Sequence, residues 1–61
     1  MTIEEFNQTR WGCGMSAKYR GEVYPIVSCD FDEALVALEG VTLGETAPSW
    51  VRCENIELVN P

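Results

Sequence analysis

The stretch MSAKYRGEVYPIVSCDFDEALVALE, residues 15–39, decides the fold, because it contains three apolar runs separated by turn residues. The first run, residues 15–20, alternates apolar and polar side chains, a period of two that indicates a strand with one buried face. The pair Gly21-Glu22 then supplies turn chemistry. Residues 23–29 are rich in β-branched and aromatic side chains, which favour a strand. These features predict a β-hairpin.

Further strands are predicted on the C-terminal side of this hairpin. Pro25 cannot donate a hydrogen bond to a neighbouring strand, so we expect the second strand to be irregular. Residues 34–38 are too few before Gly40 for a typical helix, although their leucines and alanines leave a helix open, and we interpret them as a strand. Residues 49–53 and 56–58 resume strand patterns. The chain is therefore predicted to be mainly β, with about five antiparallel strands.

A short N-terminal helix is predicted over residues 3–9. Thr2 and Glu5 have the spacing of a capping box, in which each side chain accepts the backbone N–H of the other residue. Ile3 and Phe6 are three residues apart and share a helix face. We expect that face to pack onto the sheet.

The composition predicts one acidic globular domain spanning residues 1–61. Apolar residues make up 46% of the chain and charged residues 23%, which is ordinary globular usage. Ten acidic residues against four basic ones give a formal net charge of -6. Such a surface repels phosphate backbones and anionic lipid. Nucleic acid is therefore an unlikely partner, and no apolar stretch is long enough to predict a membrane span.

Cys13, Cys29 and Cys53 are an odd number of widely spaced cysteines that follow no signal-peptide pattern. We interpret them as reduced thiols of a cytoplasmic protein. Zinc sites generally use closely spaced cysteine pairs, so small core side chains are the preferred interpretation. Cys13 differs because it lies between two glycines in an expected loop, where a thiol can be reactive.

The order of these elements resembles the SH3-like small barrels, especially the Tudor-type modules, over residues 14–59. The resemblance rests on the start of the first strand, the tyrosines around the hairpin, and the last three strands. The corresponding residues are Gly14-Met15, Tyr19, Tyr24-Pro25-Ile26, residues 35–38 and residues 50–58. It implies an SH3-like barrel with a short turn between the last two strands.

Tudor-type modules commonly bind methylated lysine or arginine in an aromatic cage, because ring faces attract cations. The side chains that such a resemblance offers here are Tyr19, Tyr24, Phe31 and Trp50. These four are the predicted binding residues. Trp11, at the junction of helix and sheet, is assigned to packing, and Trp50 is preferred as a binding hot spot.

Catalytic and metal sites are poorly supported by the residue types. The chain has no histidine, it is small for a pocket, and no nucleophile motif is present. Asp30, Asp32 and Glu33 can bind a divalent cation in principle, but a solvated turn is the preferred interpretation. No enzyme activity, cofactor or metal is therefore predicted.

The remaining function class is a non-enzymatic protein-binding module with an unidentified protein partner, and a homodimer stays open. The short acidic chain also resembles small bacteriophage and prophage proteins, many of which bind and inhibit a host protein. Two alternatives remain. One is a nucleic-acid-associated SH3-like or Tudor-like module, since Lys18 and Arg20 lie beside Tyr19 and Tyr24. The other is a mimic of nucleic acid that uses its acidic surface.

Overall fold

The computed structural model describes residues 1–59, which form one short α-helix and a five-stranded antiparallel sheet. The prediction of a mainly β chain with an N-terminal helix is confirmed. The helix has six residues, and within residues 1–59 no helix is long and apolar enough to cross a membrane. The elements are α1 (Ile3–Gln8), β1 (Ser16–Tyr19), β2 (Glu22–Asp30), β3 (Leu35–Leu38), β4 (Ser49–Arg52), a 3-10 turn (Cys53–Asn55) and β5 (Ile56–Val59).

The long strand β2 belongs to both halves of the sheet, whose strand order is β4-β3-β2-β1-β5. Its first half, residues 22–25, pairs with β1, and its second half, residues 26–30, pairs with β3. In addition β1 pairs with β5, and β3 pairs with β4. In the part of the chain that the structure describes, β4 and β5 are the two edges, so these pairings form an open sheet.

The predicted hairpin joins β1 to β2, with Tyr19 and Glu22 directly opposite each other. The two residues between them, Arg20 and Gly21, have φ values of 51° and 85°. Positive φ at both central residues is the pattern of a type I′ turn, whose twist matches that of the flanking strands. Glycine adopts this conformation without strain, whereas the β-carbon of Arg20 disfavours it.

A β-bulge interrupts β2 at Val27. Ile26 and Ser28 are two residues apart, but their partners on β3 are consecutive, so Val27 is the additional residue. The expectation of an irregular second strand is confirmed, although the irregularity lies two residues beyond Pro25. Because a bulge bends its strand, the two halves of β2 can pair with two different strands, β1 and β3.

The core lies between the two halves of the sheet and against α1. Its buried side chains come from the helix, from four strands and from the 3-10 turn; they are Phe6, Ala17, Val36, Leu38, Val51, Cys53 and Ile56. Strands β1 and β5 lie in one half of the sheet, and β3 and β4 lie in the other. The bent strand β2 therefore lets the inner faces of both halves contribute to one cluster.

The helix α1 begins with the predicted capping box. The Thr2 hydroxyl accepts the Glu5 backbone N–H at 3.1 Å, and the Glu5 carboxylate accepts the Thr2 backbone N–H at 3.1 Å. The hydrogen bond from the Thr2 backbone N–H to the Glu5 carboxylate lowers the pKa of Glu5. The helix ends at Gln8, one residue before the predicted end, because Thr9 has an extended backbone conformation.

Only part of the predicted docking face of α1 enters the core. Phe6 is fully buried, whereas Ile3 is 51% exposed, so the prediction is wrong for Ile3. At this end of α1, the polar N-terminus contacts the 3-10 turn and β5. The ammonium group of Met1 donates to the carbonyl oxygens of Cys53, at 3.0 Å, and of Ile56. These contacts hold α1 against the sheet.

Candidate functional site

A groove of about 460 Å³ lies beside the second half of β2. One wall is the chain that leaves α1, residues 11–13, and the other is β2 itself, residues 26–29. Phe31, just after the end of β2, also lines it. We call this surface the aromatic groove, because Trp11 and Phe31 both line it.

The groove exists because β1 is shorter than β2. The backbone N–H of Ile26 donates to the carbonyl oxygen of Met15 at 2.9 Å, immediately before the start of β1. Gly14 has a φ of 81°, and the turn at this glycine takes the preceding chain away from β2. Beyond Ile26, β2 continues to Asp30 while no strand in residues 1–59 pairs with it on that side. The groove occupies the space where a longer β1 would lie.

Phe6 packs against both aromatic residues that line the groove. Its buried ring lies 5.3 Å from the ring of Trp11 and 5.4 Å from the ring of Phe31, measured between centroids. The Trp11 indole N–H also donates to the Phe6 carbonyl oxygen at 3.1 Å. Phe31 nevertheless stays 62% exposed. Both aromatic residues that line the groove therefore pack on a buried ring, and that of Phe31 remains accessible.

Phe31 lies in a turn with three acidic residues, Asp30, Asp32 and Glu33. The Asp30 carboxylate accepts the backbone N–H groups of Asp32 at 2.9 Å and of Glu33 at 3.2 Å, which fixes the turn after β2. Asp32 and Glu33 are themselves exposed. This arrangement is the solvated turn that the sequence favours, and within residues 1–59 no cluster of three or more metal-ligating side chains occurs. The end of the groove at Phe31 is therefore acidic.

Two free thiols line the aromatic groove. Cys13 is exposed in the glycine-bounded turn, as its sequence context predicts, and Cys29 is half-buried on β2. Burial raises the pKa of the Cys29 thiol. Cys53 lies instead in the core, where burial and a hydrogen bond to the Glu54 carboxylate raise its pKa. The groove side of β2 therefore carries a neutral, weakly polar side chain at Cys29.

Two of the predicted binding residues, Tyr19 and Tyr24, lie on the paired strands of the hairpin and pack against the core. The Tyr24 hydroxyl donates to the Glu22 carboxylate at 2.9 Å, and this hydrogen bond raises the pKa of Tyr24. The Arg20 guanidinium lies 5.0 Å from the centroid of the Tyr19 ring. Both tyrosines therefore already have polar or cationic partners within the hairpin.

The other two predicted residues lie apart from the tyrosines. Phe31 lines the aromatic groove and contacts Phe6. Trp50 lies on the edge strand β4 opposite Ala37, is 49% exposed and is outside the core cluster. The structure therefore distributes the four residues over the hairpin, the groove and a sheet edge.

Trp11, Val27 and Cys29 are groove residues that the sequence did not single out for binding. Trp11 packs partly against the core, as predicted, but it also lines the groove. One signal was present in the sequence: the glycines after Trp11 and the proline in β2 both mark places where strand pairing stops. Which side of β2 would be left open depends on the strand order, which the local pattern does not contain.

Comparisons with protein-family models, with curated proteins and with solved structures find no match to this chain.

Proposed function

We propose that the chain is a non-enzymatic, SH3-like protein-binding module whose ligand site is the aromatic groove. The strand order supports an SH3-like architecture, because a meander of four strands is followed by a fifth strand that returns to β1. The short 3-10 turn between β4 and β5 is a second feature in its favour. The long strand β2, shared between two halves of the sheet, is a third.

The observation that carries the binding proposal is the exposed ring of Phe31 beside the buried ring of Phe6. Aromatic side chains are enriched in the centres of protein interfaces, where they supply large contact areas with few rotatable bonds. Here Phe6 and the Trp11 hydrogen bond already fix the surrounding rings. A ligand that covers Phe31 therefore buries apolar area at little cost in side-chain entropy.

The chemistry of the groove favours binding over catalysis. A catalytic site needs a nucleophile or acid-base group positioned by a second polar group. The described residues that line the groove offer mainly apolar side chains, glycine, the Ser28 hydroxyl and two thiols. Burial raises the pKa of Cys29, which keeps this thiol in its less nucleophilic, protonated form.

Selection from a random peptide display library tests this proposal with three forms of the protein. We expect the unmodified chain to enrich a shared peptide pattern, Phe31→Ser to abolish the enrichment, and Trp50→Ser to retain it. The two variants are matched because each replaces one exposed aromatic residue with serine. Thermal unfolding of both variants shows that each is folded under the selection conditions.

Two results would overturn the proposal. One is the absence of any enrichment above that of a non-binding control domain. The other is enrichment that depends on Trp50 and not on Phe31. A labelled single-stranded oligonucleotide at low salt serves as a further control, since Lys18 lies opposite Glu57 and its charge is therefore partly offset. We expect no binding tighter than about 1 µM.

A further inference from the structure

We propose that the second half of β2 binds an extended segment of a partner protein by strand addition, and that the segment alternates apolar residues with lysine or arginine. This inference rests on the proposed function, which it makes specific in two respects. It names the backbone of β2 as the recognition element, and it names the chemical class of the ligand.

The open backbone edge of β2 is the first observation. In strand order β2 lies between β3 and β1, yet β1 pairs only with residues 22–25. Successive strand residues bond alternately to the two sides: the Pro25 carbonyl accepts from Glu39 on the β3 side, and the Ile26 N–H donates to Met15 on the β1 side. Beyond Ile26 the β1 side lies along the groove. Free strand edges of this kind are templates for an added strand.

The dimensions of the site fit a short strand. Residues 27–30 continue β2 beyond the Ile26–Met15 hydrogen bond, and at about 3.4 Å per residue they span roughly 14 Å. This is the length of a strand of about four residues, which is within the usual range for globular proteins. The groove of about 460 Å³ runs along this part of β2.

The side chains around the open edge favour apolar residues in the ligand. Val27 is half-exposed on the groove, and Trp11 and Phe31 line it beside the same part of the strand. In an added strand every second side chain faces the same side. One set of alternate residues can therefore contact the valine and the two rings, while the other set faces solvent.

Charge complementarity favours lysine or arginine in the ligand. The chain has a net charge of -6, and the exposed residues Asp32 and Glu33 directly follow the accessible Phe31 in the sequence. A cation on the solvent-facing side of the added strand is attracted by these carboxylates at this end. Arg10, next to Trp11 in the sequence, is the one cation adjacent to a lining residue of the groove among residues 1–59. An acidic ligand would meet net repulsion.

Synthetic peptides of about six residues that alternate valine and lysine test the backbone part of the proposal. Two isomers carry N-methyl groups on opposite sets of alternate amides, so that they share side chains and charge but lose different hydrogen-bond donors. Because an added strand uses one set of donors, we expect the affinities of the two isomers to differ by about tenfold. Equal affinities would overturn strand addition.

Two charge variants of the protein test the ligand chemistry. Asp32→Lys and Glu45→Lys change the net charge equally, but only Asp32 lies beside Phe31, since Glu45 is in the loop before β4. We expect Asp32→Lys to lower the affinity for the unmethylated peptide by about two- to fivefold, and Glu45→Lys to leave that affinity almost unchanged. Equal weakening by both variants, or tighter binding of a valine–glutamate peptide, would overturn the choice of a cationic ligand.

The two proposals fail in different ways. If peptides from the display selection bind and depend on Phe31, but the two methylated isomers bind equally, strand addition is wrong and the protein-binding function stands. If neither the selected nor the synthetic peptides bind the folded chain, both proposals are wrong.

Discussion

The two halves of β2 share one strand but have different surroundings. The first half, residues 22–25, is paired with β1, and its Tyr24 hydroxyl is bonded to Glu22. The second half, residues 26–30, pairs with β3, and beyond the Ile26–Met15 hydrogen bond its other side lies along the aromatic groove. The bulge at Val27 lies close to the boundary between them. Among the described residues each half is therefore paired with a strand on one side only, and the second half differs because the aromatic groove lies along its other side.

The aromatic residues near the two halves of β2 differ in their exposure and in their partners. Around the first half, Tyr19 and Tyr24 have partners within the hairpin, namely Arg20 and Glu22. Beside the second half, the ring of Phe31 contacts a buried ring and remains accessible. A fixed and accessible ring next to an open strand edge is the better candidate for a binding site.

The largest expected effect is a difference in stability between variants of Phe6 and Phe31, whose rings are in contact. Phe6→Ala removes a fully buried ring from the core and should cost about 3–5 kcal/mol. A domain of this size has only a few kcal/mol of stability, so we expect Phe6→Ala to be largely unfolded. Phe31→Ala removes a mostly exposed ring and should cost about 1 kcal/mol or less. Urea denaturation followed by circular dichroism measures both, and equal losses would contradict the separation.

A smaller effect tests the turn that positions the first half of β2. Gly21 has a φ of 85°, so Gly21→Ala places a β-carbon in a disfavoured conformation and should cost about 1–2 kcal/mol. Gly12 is the matched control, because its φ lies outside the positive range and a β-carbon there meets no atom within 4 Å. Thermal unfolding compares the two variants. A loss of stability in Gly12→Ala equal to that in Gly21→Ala would contradict the role given to the hairpin turn.

The smallest effect concerns α1, the helix that contains Phe6 and begins with the capping box. Hydrogen bonds from Thr2 lower the pKa of Glu5, so their stabilising effect is present above the ordinary carboxyl pKa of 4.5 and is lost as the pH falls through the lowered value. Glu5→Gln keeps a hydrogen-bonding side chain without a charge. Stability curves measured from neutral to acidic pH should therefore be flatter for Glu5→Gln. Identical slopes would show that Glu5 does not contribute to the acid dependence.

Much of the fold could be predicted from local patterns. The alternation of residues 15–20, the turn at Gly21 and the apolar run before Gly40 placed the first three strands, and each strand bound lies within one residue of its prediction. Local rules succeed here because turn chemistry and side-chain alternation depend only on neighbouring residues. The capping box of Thr2 and Glu5 was predictable for the same reason.

The candidate site was only partly predictable, because it depends on contacts between distant residues. Phe31 was among the predicted binding residues, but its contact with Phe6 joins positions 25 residues apart in the chain. Trp11 was assigned to packing, since nothing in its neighbours shows that β1 stops short of the second half of β2. Strand order and the site of a bulge are properties of the assembled sheet.

Amide hydrogen exchange of the full chain, measured residue by residue with and without the valine–lysine peptide, tests the central claim most directly. In the free protein the groove-facing amides of residues 27–30 should exchange quickly, because they have no strand partner. Adding the peptide should slow exchange at these amides and leave residues 22–25 unchanged. Protection confined to the first half, or to the edge strand β4, would contradict the account.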